Sequence, residues 1–132
     1  QFGIEGTLTG DCVMLEGSQS VFTVAQWDDE LKQRLANNNI YLTAPLAGST
    51  NKPLVKGEAD AFEQSLLQPF DSWLQALRKL RVEAARRTIL LRVENPEISW
   101  QGKDAELRFT LPSGAYATTV LNEIVDLSGE SR

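Results

Sequence analysis

The first third of the chain alternates short apolar runs with polar segments. Two β-branched, apolar runs within residues 11–24 are separated by Gly and Ser, a pattern that predicts two strands joined by a short loop. Trp27, Leu31 and Leu35 then recur every four residues among charged side chains, which predicts a short amphipathic helix with Trp27 in the core. The run Asn37–Asn39 is expected to end this helix.

The middle of the chain changes from strand spacing to helix spacing. Ile40–Thr43 predicts a strand, and residues 45–57, rich in Gly, Ser, Asn and Pro, predict a long polar connection. Two helices are expected next, packed on each other through apolar stripes that place Trp73 in the core. The stripes consist of Ala59, Phe62 and Leu66 in the first helix and Phe70, Trp73, Leu74, Leu77 and Leu80 in the second.

The pattern returns to strands beyond the two helices. Thr88–Val93 is a β-type run that is expected to stop near Asn95-Pro96. Ile98–Trp100 predicts a short strand, and residues 105–111 alternate apolar and polar side chains after a turn at 101–104. This alternation indicates a hairpin strand with one buried and one wet face.

A last amphipathic helix is expected after Pro112, with Ser113 as its N-cap. Its apolar stripe consists of Val120, Leu121, Ile124 and Leu127. Together the elements predict a mixed α/β (α+β) fold. A domain boundary is expected near residues 93–96, where a helical region of mixed charge gives way to a compact hairpin and helix.

Length and composition narrow the class of protein. The chain has 132 residues, 42% of them hydrophobic, enough for one small domain and part of another. No apolar run approaches the ~20 residues of a membrane span, so no membrane partner is expected. One cysteine, Cys12, and no histidine exclude an intrachain disulfide, Cys/His zinc sites and His-based triads, and favour a reducing cytoplasm. Met14 is the only methionine, and we interpret the sequence as a fragment of a longer protein.

Charge is distributed unevenly along the chain. The net charge of −5 argues against a strongly basic nucleic-acid binder, yet residues 78–132 carry a net charge of +1. Two interpretations of this basic stretch stay open: a solvated helix face with pairing to acids such as Glu83, or phosphate contacts to RNA. The cations in the stretch are Arg78, Lys79, Arg81, Arg86, Arg87 and Arg92.

Three sequence blocks stand out along the chain. They are PLAGS at Pro45–Ser49, VEAARR at Val82–Arg87 and LRFTLPSGAYAT at Leu107–Thr118. The third is the most specific, because it joins a strand, Leu-Pro-x-Gly-x-Tyr-Ala-Thr and an amphipathic helix. In this order the blocks resemble the C-terminal third of TruD-family tRNA pseudouridine synthases, and the resemblance covers roughly residues 9–127.

The resemblance implies a domain organisation and a reaction. Residues 1–93 would be part of the TRUD insert domain, and residues 94–132 would be a strand-hairpin-helix segment that completes the pseudouridine synthase catalytic sheet. The family converts uridine 13 of tRNA to pseudouridine by breaking the glycosidic bond and rejoining the base through carbon, and it needs no cofactor and no metal. Its catalytic aspartate lies in the N-terminal half, so this fragment is expected to be inactive without the missing N-terminal part.

One segment imitates the family's catalytic Gly-x-Lys-Asp-x-x-Ala motif. Gly102-Lys103-Asp104-Ala105 places the alanine too close to the aspartate, and the strand after it runs directly into the third block. Asp104 is therefore interpreted as a hairpin-turn residue.

The third block allows a structural and a functional interpretation. In the first, Pro112 ends a strand, Gly114 permits a tight turn, Tyr116 packs, and Thr118 caps or pairs locally. The resemblance instead implies that Gly114, Tyr116 and Thr118 face the active-site cleft together with backbone amides at the helix start. It also makes Arg86 and Arg87 the best RNA-contact candidates, because they lie in the second block.

Two hypotheses from other function classes remain. The first is a non-catalytic RNA-binding module that contributes only affinity. The second is a protein-interaction domain that binds no RNA, which the acidic total charge favours.

Overall fold

A computed structural model describes residues 6–125 of the chain. The hairpin predicted within residues 11–24 is confirmed, and it continues into an antiparallel four-stranded sheet with the order β2-β1-β3-β4. The strands are β1 (Cys12–Leu15), β2 (Val21–Thr23), β3 (Ile40–Leu46) and β4 (Ala85–Thr88).

The core of this first sheet is covered by the helix α1 (Asp29–Ala36), which confirms the amphipathic helix predicted from the four-residue spacing. Asp28 caps it by accepting a hydrogen bond from the Leu31 amide at 2.8 Å. Trp27 packs against the core, and its indole N–H donates to the Leu8 carbonyl at 2.9 Å. The buried residues that form this core cluster are Val13, Val24, Ile40 and Leu42.

Strand β3 is longer than the sequence predicted. It continues to Leu46, so the polar connection begins after Leu46 and not at Pro45, as the sequence predicted. Pairing of β3 with β1 extends only as far as Leu42, and Pro45 pairs with β4 alone. A strand segment with one open side accommodates a residue without an N–H, which explains a proline there.

The two helices predicted after the connection are confirmed as α2 (Gly57–Leu67) and α3 (Asp71–Lys79), joined by a 3₁₀ turn at Gln68–Phe70. The prediction that Trp73 lies in the core is wrong, because its side chain is 72% exposed. Leu74 and Leu77 are half-buried, whereas Trp73 lies on the flank of the stripe. The exposed apolar side chains of these helices are Phe62, Leu66, Phe70, Trp73 and Leu80.

The strand predicted at Thr88–Val93 lies earlier in the chain, as β4. Helix α3 ends at Lys79, and Arg81 has a left-handed backbone (φ 55°) at the turn that follows. The next residues therefore pair with β3, with Arg86 opposite Pro45. The interpretation of the basic stretch as one helix face is thus wrong for Arg86 and Arg87.

The chain divides into two compact units, Gln1–Leu90 and Leu91–Arg132. The assignment of these units to an inserted domain and a catalytic domain remains a prediction. No helix within residues 6–125 is both long and apolar enough to cross a membrane.

The second unit contains the predicted hairpin. Its strands β5 (Glu94–Gln101) and β6 (Asp104–Thr110) pair antiparallel around Gly102-Lys103, with Gln101 opposite Asp104. Asp104 therefore closes the hairpin, as predicted, and β5 starts earlier than expected, with a register shift near Pro96. The last predicted helix is α4 (Ala117–Ile124); Leu127 of its stripe lies outside the described residues.

Candidate functional site

The segment between β6 and α4 contains the most specific of the three sequence blocks. The Ala115 amide donates to the Pro112 carbonyl at 3.1 Å, and Gly114 has a φ of 86°. This combination matches a type II turn, whose third residue has a positive φ and is normally glycine. Pro112 and Gly114 thus fix the direction in which the chain leaves β6.

Helix α4 begins directly after this turn. Its N-cap is Tyr116 rather than the predicted Ser113, and the cap has no side-chain hydrogen bond. Ser113 is the second residue of the turn that the Pro112–Ala115 hydrogen bond closes. The helix therefore starts three residues later than predicted. Thr118 is the second helical residue. Gly114, Tyr116 and Thr118 therefore lie together at one turn and the first helical residues.

The Tyr116 side chain is 66% exposed in the described part of the chain. The strand end near Pro112 and the turn at Gly114 that the structural interpretation predicted are therefore present, whereas the packing it predicted for Tyr116 is not seen among the described residues. Amide groups at the start of a helix point away from its body and favour negative charge. An exposed phenol beside such amides is an arrangement suited to binding, and its role in a cleft remains a prediction.

The predicted RNA-contact cations have four different settings. Arg78 and Lys79 occupy the last turn of α3, where cations complement the helix dipole. Arg81 lies in the turn after α3, and Arg87 lies exposed on β4. Arg92 is exposed in the second unit, near its start.

Arg86 is held by the fold through several hydrogen bonds. Its Nη1 and Nη2 donate to the two Glu63 carboxylate oxygens at 2.8 Å and 2.7 Å, and the two side chains are only 7% and 15% exposed. Nε also donates to Thr43 Oγ1 at 2.9 Å, and Nη2 to the Thr43 carbonyl at 2.8 Å. The RNA contact predicted for Arg86 remains a prediction, and these bonds would have to break or rearrange for its guanidinium to reach a phosphate.

The first two sequence blocks form one structural unit. The Ser49 amide donates to the Val82 carbonyl at 2.7 Å, and the Ala84 amide donates to the Ser49 carbonyl at 2.9 Å. Gly48 lies against this backbone, since a Cβ there would be 2.5 Å from the Ala84 nitrogen. The sequence analysis predicted neither the hydrogen bonds of Ser49 nor the close approach at Gly48, although both residues lie in the first sequence block.

Three titratable groups near the first sheet have shifted pKa values. Burial raises the pKa of Asp11, against the opposing effect of hydrogen bonds from the Leu8 amide and the Trp27 indole. Burial likewise raises the pKa of the Cys12 thiol, which makes it a poor nucleophile, and no role is assigned to it. Hydrogen bonds from Thr9 lower the pKa of the exposed Glu58.

The raised pKa of Asp11 predicts a pH-dependent effect of Asp11→Asn. Folding favours the protonated carboxyl, so the contribution of Asp11 to stability falls as pH rises through its pKa range. An asparagine side-chain oxygen can accept the same two hydrogen bonds, and asparagine carries no charge whose burial would lower stability. We expect Asp11→Asn to gain stability relative to the parent chain between about pH 3 and pH 7 in urea denaturation. A difference that is constant with pH would contradict the raised pKa.

One cleft of the first unit offers little for catalysis. A cleft of about 470 Å³ in the first unit is lined mainly by apolar side chains, including Leu35, Leu42, Ile89 and Leu90, with Lys32 as its charged member. No carboxylate among the described residues lines it. Within residues 6–125, no group of three or more His, Cys, Asp or Glu side chains is placed to hold a metal ion.

Comparison with known proteins supplies an independent finding. A family model described as "tRNA pseudouridine synthase D (TruD)" matches residues 1–124. The chain is 99% identical over 132 residues to a tRNA pseudouridine synthase D of Idiomarina loihiensis, covering all of this chain and 38% of that protein. It is 42% identical over 120 residues to the protein of the same name from Aeromonas hydrophila, covering 89% of this chain and 33% of that protein.

A solved structure agrees with these matches. The crystal structure of a putative tRNA pseudouridine synthase D (TruD) from Methanosarcina mazei superposes with a TM-score of 0.66 and 26% sequence identity, covering 89% of this chain and 31% of that chain. The mixed α/β fold predicted from the sequence is thereby confirmed. The chain spans just over a third of the length of the first of these relatives.

Proposed function

This chain belongs to the TruD family of tRNA pseudouridine synthases, and from that premise we propose that its parent protein converts uridine 13 of tRNA to pseudouridine. The observation that carries the proposal is the family match over residues 1–124. The reaction is an isomerisation: the bond from the ribose carbon to N1 of the base breaks, a bond from the same carbon to C5 forms, and C5 loses a proton while N1 gains one. Because it is balanced without an oxidant or a metal, the proposal includes no cofactor.

Within the proposal, the two units have different tasks. The first unit is part of the inserted domain and helps to hold the tRNA, and the second supplies the end of the catalytic sheet. The proposal places the catalytic aspartate in the N-terminal part of the parent protein, and the position of Asp104 at the end of a hairpin turn supports this. The site of action is the cytoplasm, where unmodified tRNA is available.

The turn before α4 is the proposed contribution of this chain to the active-site cleft. The positive φ of Gly114 sets the turn, and Tyr116 then presents its exposed ring at the helix start. The amides around Thr118 are placed to favour a phosphate or a developing negative charge on the base. The proposed phosphate contacts are Arg78, Lys79, Arg81 and Arg87 in the first unit and Arg92 in the second.

Pseudouridine formation on unmodified tRNA tests the proposal. We expect none from this chain alone and full conversion by the full-length parent protein, with recovery when this chain is mixed with the missing N-terminal part. Turnover by the chain alone would overturn the assignment of the aspartate to the N-terminal part and redirect attention to Asp104. Salt-sensitive tRNA binding by the full-length protein without turnover would instead support a non-catalytic RNA-binding module.

A further inference from the structure

Helix α3 ends in a turn whose left-handed residue is an arginine. The Arg81 amide donates to the Arg78 carbonyl at 3.0 Å, and Arg81 has a φ of 55°. The Val82 amide donates to the Leu77 carbonyl at 3.0 Å. These bonds form a Schellman motif, in which the left-handed position is usually glycine and sometimes asparagine. An arginine there has a steric cost, because its Cβ crowds the following carbonyl oxygen.

Helix α1 ends in the same motif and provides a comparison within the chain. The Asn38 amide donates to the Leu35 carbonyl at 3.0 Å, and Asn38 has a φ of 56°. The Asn39 amide donates to the Arg34 carbonyl at 2.9 Å. Asparagine tolerates this backbone because its short polar side chain can hydrogen-bond locally. The end of α3 thus has a cation where an uncharged residue would fit the turn better, which indicates a use for the guanidinium.

A second loop is fixed against the Arg81 turn. The Ser49 amide donates to the Val82 carbonyl at 2.7 Å. The loop continues through Thr50, whose hydroxyl donates to the Lys52 carbonyl at 3.0 Å and accepts from the Lys52 amide at 3.1 Å. Lys52 therefore follows the contact with Val82 by three residues, in a loop that has its own hydrogen bonds.

The two joined segments concentrate positive charge. Residues 78–84 contain three cations and one acid, Glu83, and residues 48–52 contain one cation, Lys52, and no acid. Together they carry a net charge of +3, in a chain whose net charge is −5. Lys52 and Arg81 are both exposed. Cations that are brought together in this way repel one another, and the phosphates of a nucleic acid relieve that repulsion.

We propose that Arg81 and Lys52 form one binding site for backbone phosphates of the tRNA substrate, with the Arg81 turn and the loop of residues 48–52 as its two sides. The proposal rests on the function proposed above, and it adds Lys52, which the sequence analysis did not single out. It also explains the left-handed arginine, because the stability lost at this turn is offset by affinity for RNA.

Replacement of Arg81 by glycine separates binding from folding. Glycine suits the left-handed position and has no charge, so Arg81→Gly in the full-length parent protein should not lower the unfolding temperature. We expect it to raise the Kd for tRNA about 10-fold and to reduce the slope of log K against log salt by about 1. Arg81→Lys keeps the charge and should keep the parent slope. Lys52→Ala should reduce the slope by about 1 at an unchanged unfolding temperature.

Two further variants control for the turn and for the loss of a cation. Asn38→Gly changes the corresponding position at the end of α1, and Lys32→Ala removes an exposed cation of α1. Both should leave the Kd and the slope unchanged.

The variants also give the outcomes that would overturn the proposal. An unchanged Kd and slope in Arg81→Gly would overturn the phosphate site while the proposed function stands. An equal rise of the Kd in Arg81→Gly and Arg81→Lys would do the same, because the charge would then not matter. The parent slope in Lys52→Ala would overturn the site with two sides. A parent protein that neither binds tRNA nor forms pseudouridine overturns the proposed function as well.

Discussion

Arg86→Met is expected to lower the free energy of unfolding by about 3–5 kcal/mol. The substitution keeps the apolar stem of the side chain but removes the guanidinium that pairs with Glu63. The Glu63 carboxylate is only 15% exposed, so it would remain as a charge with little access to water. The carbonyl and hydroxyl oxygens of Thr43 would also lose their donors from Arg86.

The chain itself contains a matched control for this experiment. Arg108 and Glu106 form an ion pair with the same 2.7 Å separation, but their side chains are 72% and 39% exposed. Arg108→Met is expected to change stability by less than about 1 kcal/mol, because exposed pairs are screened by water. Urea denaturation of the three proteins makes the comparison, and equal effects of the two substitutions would contradict a structural role for the buried pair.

A double substitution separates the net contribution of the ion pair to the free energy of unfolding from the loss caused by removing one partner alone. Arg86→Met with Glu63→Leu removes both charges and keeps apolar volume in the same place. We expect it to recover most of the loss, because a buried ion pair is often worth little more than a well-packed apolar pair. A double variant as unstable as Arg86→Met alone would show instead that the Thr43 hydrogen bonds dominate.

The elements with a regular period were predictable from the sequence. The spacing of Trp27, Leu31 and Leu35 reflects a helix face packed on the core, and the alternation after Asp104 predicted a strand that is present. The buried face predicted for that strand is not observed, because its described residues are half-buried or exposed. The same periodicity was misleading at Trp73, because a stripe of apolar residues shows that a face is apolar and not that something covers it. Exposure depends on the partner, which the local pattern does not contain.

Strand β4 and the hydrogen bonds of Arg86 could not be predicted from the local sequence pattern. Ala85–Thr88 contains two arginines and no alternation of apolar side chains, so the more hydrophobic Ile89–Leu91 attracted the strand prediction. The deciding interactions are distant in sequence: Arg86 reaches Glu63 and Thr43 across 23 and 43 residues. The turn at Gly114 was predictable because its residues are adjacent and it depends on local chemistry, whereas the role of Gly114, Tyr116 and Thr118 in a cleft stays a prediction.

Gly48→Ala is expected to lower the free energy of unfolding by about 3 kcal/mol. The new methyl group would lie 2.5 Å from the Ala84 nitrogen and 2.6 Å from the Val82 carbonyl oxygen. Both atoms belong to backbone that is held by hydrogen bonds to Ser49, so the clash cannot be relieved by rotating a side chain. Either these hydrogen bonds break or the segment moves away from β3.

Gly17→Ala is the control for Gly48→Ala. Gly17 has a φ of 66° and nothing within 4 Å of an added Cβ, so its replacement carries only the backbone strain of about 1–2 kcal/mol. Gly48 has no positive φ, so the loss at Gly48 is steric, and urea denaturation of the two variants compares steric contact with backbone strain. A Gly48→Ala variant as stable as the parent chain would mean that 82–84 can move freely, and the first two sequence blocks would not act as one unit. A larger loss at Gly48 would instead tie PLAGS to VEAARR physically, since Gly48 lies between the last antiparallel β3–β4 pair, Leu46 with Ala85, and the separate parallel bridge between Ser49 and Glu83.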